Sequence, residues 1–548
     1  MDFSTSSWKR RTGSTTVYER PLGLTELRFY WDGVFERTAD TLQHAEVEID
    51  PTKFHEAIHP SNISRTWTDL KLQFPLLGAQ AEERDDDSIY FVVSAENLKN
   101  CRPGEITFQD IASQHEAGDL VDRMIGQDTL LSENLLACIY VLPRTDLPNY
   151  VHLVIHVAHC ITDGMSNITI LKTFLDRLCQ GSPPAPELRQ RLSLSVASED
   201  LIPQRKFSVA RNRWRKAIAN IIVTKRNSRL TGGHTLPRKI SQITPYTPAD
   251  SKSILCSFPI EKSRAIIRNC RENKLTFGNA YPVLGQIALT RVLLRRYLRG
   301  ELDEEEWNFR KSEPMSSAGP LNLRPLLDKE WIQAGGLSNV CLSIGFYTFS
   351  LPFMPLGSAS RLRPGVEMPS LESLLSKKRF LLRSKSVKDQ AEKYLRHPLF
   401  MEFAATSSPA RVQSTKVVGV HWRNYKAPPK HLSDKPMSLM EQASAGLVLG
   451  NGGSSMGNVD FLLPQNYPLV RQMEPSNPLV QLKTSVTRLR CRPMELYLGA
   501  ATRRQQLHLS VFWDNNVFNE DLIMEWLDEV RQATDFYLGH EENHQARL

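Results

Sequence analysis

The sequence lacks most features of disulfide-rich, metal-binding and membrane proteins. Its 548 residues include only eight cysteines and no CxxC pair, which argues against a structural zinc site and a disulfide scaffold. The apolar runs are short, and none approaches the roughly 18 residues that span a bilayer. Residues Met1 to Arg11 lack the apolar segment of a secretory signal. These absences predict a cytoplasmic protein without a membrane span.

Several other functional classes also lack support. The net charge of +8 is small for this length, and no zinc finger or aromatic and basic RNA-binding pattern is present, so no nucleic-acid partner is expected. The run Gly452-Gly453-Ser454-Ser455 does not form the GxSxG turn of a serine hydrolase. Hydrophobic residues at 41% and charged residues at 23% indicate a globular protein.

The length and the pattern of elements predict two domains. A chain of this size is too long for one compact core, and strand-like and helix-like stretches alternate in both halves. The segment 232–250 carries three prolines and few apolar residues, which is typical of a linker. We therefore predict an α/β protein with an N-terminal domain at 1–231, a linker at 232–250 and a C-terminal domain at 251–548.

One stretch combines a predicted strand, a histidine and a helix start. The β-branched run Tyr150 to Ala158 predicts a strand, in a hairpin with Leu136 to Leu142. His159 follows, and apolar residues at helical spacing after Asp163 predict a helix up to Cys179, capped by Asp163 or Ser166. A strand end is a rigid mount for a general base of near-neutral pKa. Gly164 is expected to allow a close backbone approach where a side chain would clash.

Structural roles for the residues of this stretch also stay open. His159 alone could be a hydrogen-bonded structural histidine. His152 and His156 would face the side of a strand opposite to His159, because side chains alternate, so no metal site is expected. Cys160 next to the candidate base is expected to be a small buried residue and not a nucleophile.

Four segments together resemble one superfamily. His159-x-x-x-Asp163-Gly164 resembles the HxxxDG motif of the CoA-dependent acyltransferases, which include BAHD acyltransferases, nonribosomal condensation domains and chloramphenicol acetyltransferase. Gly319-Pro-Leu-Asn-Leu-Arg-Pro325 resembles their "NLRP" strand, and Ser454-Ser-Met-Gly-Asn-Val-Asp460 resembles their segment that faces the tunnel. Phe512-Trp-Asp514 before a terminal amphipathic helix resembles their usual ending.

Within the superfamily, the likeness is greatest to fungal trichothecene 15-O-acetyltransferases. The run Tyr18-Glu-Arg-Pro-Leu-Gly-Leu-Thr-Glu26 and the Leu462-Leu-Pro464 that follows Asp460 carry this resemblance. No DFGWG run of BAHD enzymes is present, and Ala158 replaces the first histidine of the condensation-domain pair. Both departures favour a stand-alone transferase.

The resemblance implies a fold and a reaction. Two chloramphenicol-acetyltransferase-like domains would enclose a tunnel, with His159 midway along it as the general base. The co-substrate would be an acyl-CoA, with acetyl-CoA as the default, and the acceptor would be a small-molecule alcohol, such as a hydroxyl of a terpenoid or polyketide. No bound cofactor and no metal are implied. A monomer is expected, because one chain already forms the cleft.

The resemblance also assigns supporting residues. Asp163 would be structural and paired with Arg324, beside Gly164. Ser454, Ser455 or the backbone near Gly457 would stabilise the oxyanion or line the tunnel.

The site that binds the CoA phosphates stays open. The basic stretch Arg211 to Arg229 would bind phosphates, lie on an anionic membrane or pack on its own domain. Other candidates for phosphate binding are Arg361, Arg363, Lys377, Lys378 and Arg379.

The alternatives from the same fold are a transferase that uses a carrier-protein thioester or an amine acceptor, and a cyclase or binding module that transfers nothing.

Overall fold

The computed structural model describes residues 7–85, 88–126, 130–181, 187–203, 207–406, 408–469 and 478–540. Its strands are β1 Lys9–Arg10, β2 Val17–Pro21, β3 Thr41–Ile49, β4 Gln80–Glu83, β5 Ile89–Ser94, β6 Ile106–Phe108, β7 Ala137–Pro143, β8 Tyr150–Val157, β9 Ser251–Ser257, β10 Met315–Asn322, β11 Ile344–Leu351, β12 Leu449–Asn458, β13 Asn466–Tyr467, β14 Val480–Leu489, β15 Leu496–Arg503 and β16 Gln506–Asp514.

The helices alternate with these strands along the chain. They are α1 Leu24–Val34, α2 Phe54–Ala57, α3 Pro60–Gln73, α4 Ala95–Lys99, α5 Gln114–Gly126, α6 Gly164–Leu178, α7 Leu188–Leu194, α8 Val209–Asn227, α9 Ile260–Glu272, α10 Phe277–Leu298, α11 Glu304–Ser312, α12 Lys329–Gln333, α13 Leu371–Leu374, α14 Lys377–Leu395, α15 Phe400–Thr406, α16 Ser408–Tyr425, α17 Leu439–Ser444 and α18 Glu520–Leu538. The mixture of strands and helices confirms the predicted α/β class.

Two six-stranded sheets organise the molecule. The first has the order β13-β14-β3-β8-β7-β6, and the predicted hairpin of β7 and β8 lies in it. The second has the order β11-β10-β12-β15-β16-β9, with parallel pairing of β10 with β12 and of β12 with β15. A smaller sheet has the order β1-β2-β5-β4.

Each large sheet contributes to its own hydrophobic core. Near the C-terminal end of the sequence, one strand of the chain returns to the first sheet. The first core gathers residues of β3, β7, β8, α3 and α6. The second contains α10, α18 and the inner side of the second sheet. β14 lies in the second half of the sequence but pairs with β3 of the first sheet along its whole length. This exchange, which the sequence pattern did not indicate, ties the two halves together.

The proline-containing segment 232–250 lies against the second half and is partly buried. Leu236 and Ile240 belong to the second core. His234 is fully buried, and its ring nitrogens contact the carbonyl oxygen of Arg310 at 2.8 Å and the hydroxyl of Thr290 at 2.7 Å. The segment is therefore packed structure and not a free tether.

α10 begins earlier than the sequence pattern suggests. Pro282 in the sequence predicts a helix that starts near it, since proline is tolerated in a first turn, but the helix begins at Phe277 and Pro282 lies inside it. The backbone N–H of Thr276 donates to Oδ1 of Asn279 at 2.9 Å, which caps the first turn. Pro282 therefore does not mark the start of α10, because the N-cap residue Thr276 lies six residues before it.

The basic helix α8 packs on one side and leaves apolar side chains exposed on another. Ala219 is buried with Leu399 and Phe403, and Arg215 forms an ion pair with Glu402. Trp214, at 68% exposure, and Ile221, at 67%, lie outside this contact. None of the helices in the described ranges has the length and apolarity that crossing a bilayer requires.

His156 offers a stability test in the core of the first sheet. It is fully buried, and neither ring nitrogen has a hydrogen-bond partner among the described residues. Burial lowers the pKa of its imidazole to about 3. Because the unfolded chain then takes up this proton below about pH 6.5 and the folded chain does not, His156 costs stability as the pH falls.

We therefore expect His156→Phe to raise the free energy of unfolding by about 1–3 kcal/mol at pH 8, with a larger gain at pH 5. Urea denaturation at the two pH values measures this. A variant that is less stable than the parent at both values would contradict the expectation.

Candidate active site

The backbone after β8 turns tightly and is fixed by neighbouring strands. Ala158 donates its N–H to the carbonyl oxygen of Leu136 at 2.9 Å. The backbone N–H of His159 donates to Oδ1 of Asp40 at 3.2 Å. Asp40 is buried, and burial raises the pKa of its carboxyl group to about 7. The turn thus holds His159 beyond the end of the strand, attached to the rigid first sheet.

The hydrogen bond at one ring nitrogen determines the state of the other. Nδ1 of His159 lies 2.7 Å from the carbonyl oxygen of Thr162. A carbonyl oxygen can only accept, so Nδ1 carries the hydrogen and Nε2 of the neutral ring carries a lone pair. Nε2 has no hydrogen-bond partner within the described part of the chain, and the residue is half-buried. The geometry is that of an imidazole ready to accept a proton.

An aromatic ring fixes the orientation of this imidazole. Phe29 of α1 stacks on His159 with a ring-centroid distance of 4.0 Å and an interplanar angle of 27°. Burial, together with the charge of Arg492, lowers the pKa of His159 to about 4. Both causes disfavour the imidazolium, so the ring is neutral at physiological pH.

This lowered pKa predicts an unusual pH dependence. Protonation removes the lone pair of Nε2, so a base with a pKa of about 4 stays active well below pH 6.5. We expect kcat/KM for acyl transfer to stay nearly constant from pH 8 to pH 5.5, where an unperturbed histidine would keep only about a tenth of its neutral form. An inflection near pH 6.5 in the rate profile would show that the ring is not desolvated in this way.

Asp163 and Arg324 form a buried ion pair beside the turn. Nη1 of Arg324 lies 2.8 Å from Oδ2 of Asp163, and both side chains are 1% exposed. Oδ2 also accepts the N–H of Ser343 at 2.9 Å, and Oδ1 accepts that of Ser166 at 2.9 Å, which caps α6. Arg324 lowers the pKa of Asp163, so the carboxylate is ionised. Asp163 points into this network, and in the described part of the chain it forms no hydrogen bond with the ring of His159.

Arg324 links the two halves of the molecule through the same network. Its Nη2 donates to the hydroxyl of Ser166 at 2.8 Å and to the carbonyl oxygen of Cys341 at 2.7 Å. Because Arg324 follows β10 and Ser166 lies in α6, the bonds join the second sheet to the helix that follows the histidine turn.

The expected steric role of Gly164 is not found. A Cβ atom at this position would lie 3.7 Å from the Sδ and Cε atoms of Met456, which is ordinary van der Waals contact. The clash predicted from the sequence is therefore wrong. The contact does show that β12 of the second sheet approaches the start of α6.

β12 carries Ser454, Ser455 and Gly457. The hydroxyl of Tyr497 donates to Oγ of Ser454 at 2.5 Å, and both serines are half-buried. Gly457 has a φ of +68°, a conformation that favours glycine. Since Met456 lies against Gly164, these residues are near the HxxxDG turn, but within the described residues none of them forms a hydrogen bond with His159. Their role in oxyanion stabilisation stays a prediction.

Cys160 is buried, and burial raises the pKa of its thiol, so it is a poor nucleophile, as expected. His152 contacts Nε2 of His44 through its Nδ1 at 3.0 Å. No cluster of three or more potential metal ligands occurs among the described residues.

A cavity of about 350 Å³ lies in the second half and does not include His159. Its walls come from the 232–250 segment, the end of α10, α11, α17 and the start of α18, with Arg238, Lys239, Arg296 and Arg310 among the lining residues.

Sequence reasoning missed Phe29, Asp40 and Arg492 around the histidine. Phe29 lies in an ordinary amphipathic helix pattern, and Arg492 is 333 positions away from His159 along the printed chain. Nothing local in the sequence links these residues to the turn.

Solved structures identify the class to which this fold belongs. The condensation domain of the monacolin K polyketide synthase matches with a TM-score of 0.57 and 10% identity, over 97% of this chain and 98% of that chain. The cyclization-docking bidomain EpoB from Sorangium cellulosum matches with a TM-score of 0.57 and 13% identity, over 99% and 88%. The chain therefore has the α/β fold of condensation and cyclization domains, a fold that the four segments implied.

One further match is an acetyltransferase of the kind that the sequence resembles. The trichothecene 15-O-acetyltransferase from Fusarium sporotrichioides matches with a TM-score of 0.68 and 11% identity, over 97% of this chain and 98% of that chain. No family model matches the sequence, and no curated protein matches it either. At such low identity, the likeness establishes the fold alone.

Proposed function

We propose that the protein is an acyltransferase that moves an acyl group from CoA to an acceptor hydroxyl, with His159 as the general base. The observation that carries the proposal is the neutral ring of His159, whose Nδ1 donates to Thr162 while Nε2 has no partner within the described residues. The resemblance of the sequence motifs supplies the substrate class: acetyl-CoA as donor, and a terpenoid or polyketide alcohol as acceptor.

The proposed reaction begins at this ring. Nε2 takes the proton of the acceptor hydroxyl while its oxygen bonds to the thioester carbonyl carbon. The tetrahedral oxyanion collapses, the carbon–sulfur bond breaks, and the CoA thiolate receives the proton from Nε2. No covalent acyl-enzyme is needed. General-base assistance of this kind contributes about 10²–10⁴ in rate.

Incubation with acetyl-CoA and a panel of alcohols tests the proposal by release of free thiol. We expect thiol release that depends on the alcohol, with formation of the matching ester. Thiol release that is independent of every alcohol would indicate hydrolysis, and a broad panel without any release would contradict CoA-dependent transfer.

A carrier-protein thioester is the second candidate donor, and two observations favour it. Condensation domains share this fold. The residues 207–230 contain no acidic side chain, and α8 exposes Trp214 and Ile221 among its basic residues. Replacing acetyl-CoA by an acetylated carrier protein in the same assay separates the donors. Transfer from the carrier alone would assign the protein to that group.

A further inference from the structure

Three arginines from distant parts of the chain surround two phenylalanine rings at the junction of the two halves. Cζ of Arg28, in α1, lies 5.6 Å from the ring centroid of Phe29 and 5.1 Å from that of Phe346 in β11. Cζ of Arg411, in α16, lies 5.6 Å from the ring of Phe346. Cζ of Arg492 lies 5.0 Å from the ring of Phe29. The guanidinium groups therefore share one region.

This region adjoins the candidate base. Phe29 stacks on His159 at 4.0 Å, so the ring that contacts Arg28 and Arg492 also contacts the imidazole. The charge of Arg492 is one of the causes of the lowered pKa of His159. A small molecule with its hydroxyl at Nε2 could therefore reach the arginines with another of its groups.

The positive charge of this region is not balanced. Arg492 pairs with Oδ2 of Asp32 at 2.6 Å, and its backbone N–H donates to Glu495 at 2.8 Å. The guanidinium groups of Arg28 and Arg411 form no ion pair and no hydrogen bond with any described residue, and the carboxylates of Asp32 and Glu495 act on Arg28 only at longer range. Three guanidinium groups thus face two carboxylates.

Arg28 is held at a cost to the folded state. Its Nε atom is buried without a hydrogen-bond partner in the described ranges. Burial, and then the like charge of Arg492, lower the pKa of this guanidinium to about 9. Buried cations are normally paired, since desolvation of an unpaired one is unfavourable. Arg411 is solvent-exposed, so the group has an open side.

We propose that Arg28 and Arg411, assisted by Arg492, bind an anionic oxygen group of the acceptor, so that the preferred acceptor is a hydroxy acid. This inference rests on the proposed role of His159. Guanidinium groups suit carboxylates and phosphates because their donors match the two oxygens. The anion stays unchanged in the reaction, while the hydroxyl of the same molecule loses its proton to Nε2 and forms the ester.

Two molecules of the reaction could bring such an anion, and the acceptor is the better match. The phosphates of acyl-CoA are separated from its thioester by the whole pantetheine arm. A thioester at His159 would place them far from Phe29, which touches the imidazole directly. In a compact acceptor, the carboxylate and the hydroxyl are close enough for one to lie at the arginines while the other lies at His159.

Binding of hydroxy acids without any thioester tests the anion site independently of transfer. Ligand-observed NMR would compare aliphatic and aromatic hydroxy acids with their methyl esters, on the parent protein and on Arg28→Gln and Arg411→Gln. We expect the acids to bind about tenfold or more tightly than the esters, and each variant to remove most of this preference, leaving about twofold or less. Arg396→Gln is the matched control, because this arginine directly follows α14 and its side chain is 81% exposed.

The stability of Arg28→Gln separates binding from a structural role. Because the charge of Arg28 has no partner among the described residues, its removal is expected to leave the melting temperature unchanged or to raise it. A lowered melting temperature together with an intact acid preference would make Arg28 a structural residue and overturn the proposal. Equal binding of acids and esters to the parent protein would also overturn it.

Binding measurements with two acyl donors show whether the anion belongs to the acceptor or to CoA. The dissociation constants of acetyl-CoA and of S-acetyl-N-acetylcysteamine, which has no phosphate, are measured on the same variants. We expect neither to change in Arg28→Gln. A loss of affinity for acetyl-CoA alone would assign the arginines to the CoA phosphates and contradict an acceptor site. Failure of all thiol release would refute the role of His159 and leave the binding result standing on its own.

Discussion

His159→Ala is expected to lower the rate of acyl transfer by about 10²–10⁴, while the protein stays folded. The substitution removes Nε2, the group that takes the acceptor proton in the proposed reaction. It also removes the contacts with Phe29 and Thr162, so a modest loss of stability is expected. Single-turnover measurements with a verified acceptor and acetyl-CoA give the rate, and circular dichroism gives the folded fraction.

His115→Ala is the matched control for this experiment. The side chain of His115 is 86% exposed on α5 and pairs with Asp119 in the same helix, so its removal should leave transfer unchanged. Turnover of His159→Ala close to that of the parent would refute the general-base assignment. Equal losses in both variants would show that the assay reports overall damage and not the chemistry of one ring.

Asp163→Asn is expected to lower the free energy of unfolding by about 3–5 kcal/mol. The ion pair with Arg324 is 1% exposed on both sides, so loss of the carboxylate leaves a buried guanidinium charge unpaired. Asparagine can still cap α6, because its side-chain oxygen can accept the N–H of Ser166 as Oδ1 does. The loss therefore reports the missing Oδ2 oxygen, which accepts hydrogen bonds from Arg324 and Ser343, and not the helix cap.

A double-mutant cycle completes this test. Arg324→Gln alone should be similarly destabilising, and the double variant should be less destabilised than the sum of the two. The exposed pair of Arg363 and Glu304, at 69% and 60% exposure, is the control, and Glu304→Gln should leave the free energy of unfolding nearly unchanged, because solvent screens this pair. Urea denaturation of all variants provides the free energies. An Asp163→Asn protein as stable as the Glu304→Gln protein would contradict the structural role of the buried pair.

Much of the fold could be read from local patterns. β8, the hairpin with β7 and the helix α6 with Asp163 at its cap have strong periodicity and clear end signals. The pairing of β14 with β3 could not be predicted, because nothing in either strand marks a partner more than 400 positions away. The start of α10 was missed because a capped turn precedes its proline.

The candidate site was predictable only where a motif marked it. His159, Asp163 and Arg324 stand in segments that resemble a superfamily pattern, and the structure brings Asp163 and Arg324 into contact. Phe29, Arg28 and Arg492 meet at the site through tertiary packing of α1 and the chain after β14, so their positions carry no local signal. The prediction that a side chain at position 164 would clash was wrong, because the neighbouring Met456 leaves room for a methyl group there.

A crystal structure with CoA and an accepted alcohol bound together tests the central proposal most directly, through the distance from Nε2 of His159 to the hydroxyl oxygen. We predict a distance of about 2.6–3.2 Å, with Nδ1 still bonded to the carbonyl oxygen of Thr162. A hydroxyl bound out of reach of Nε2, or an Nε2 bonded to another group of the protein, would contradict the role of this imidazole as the base.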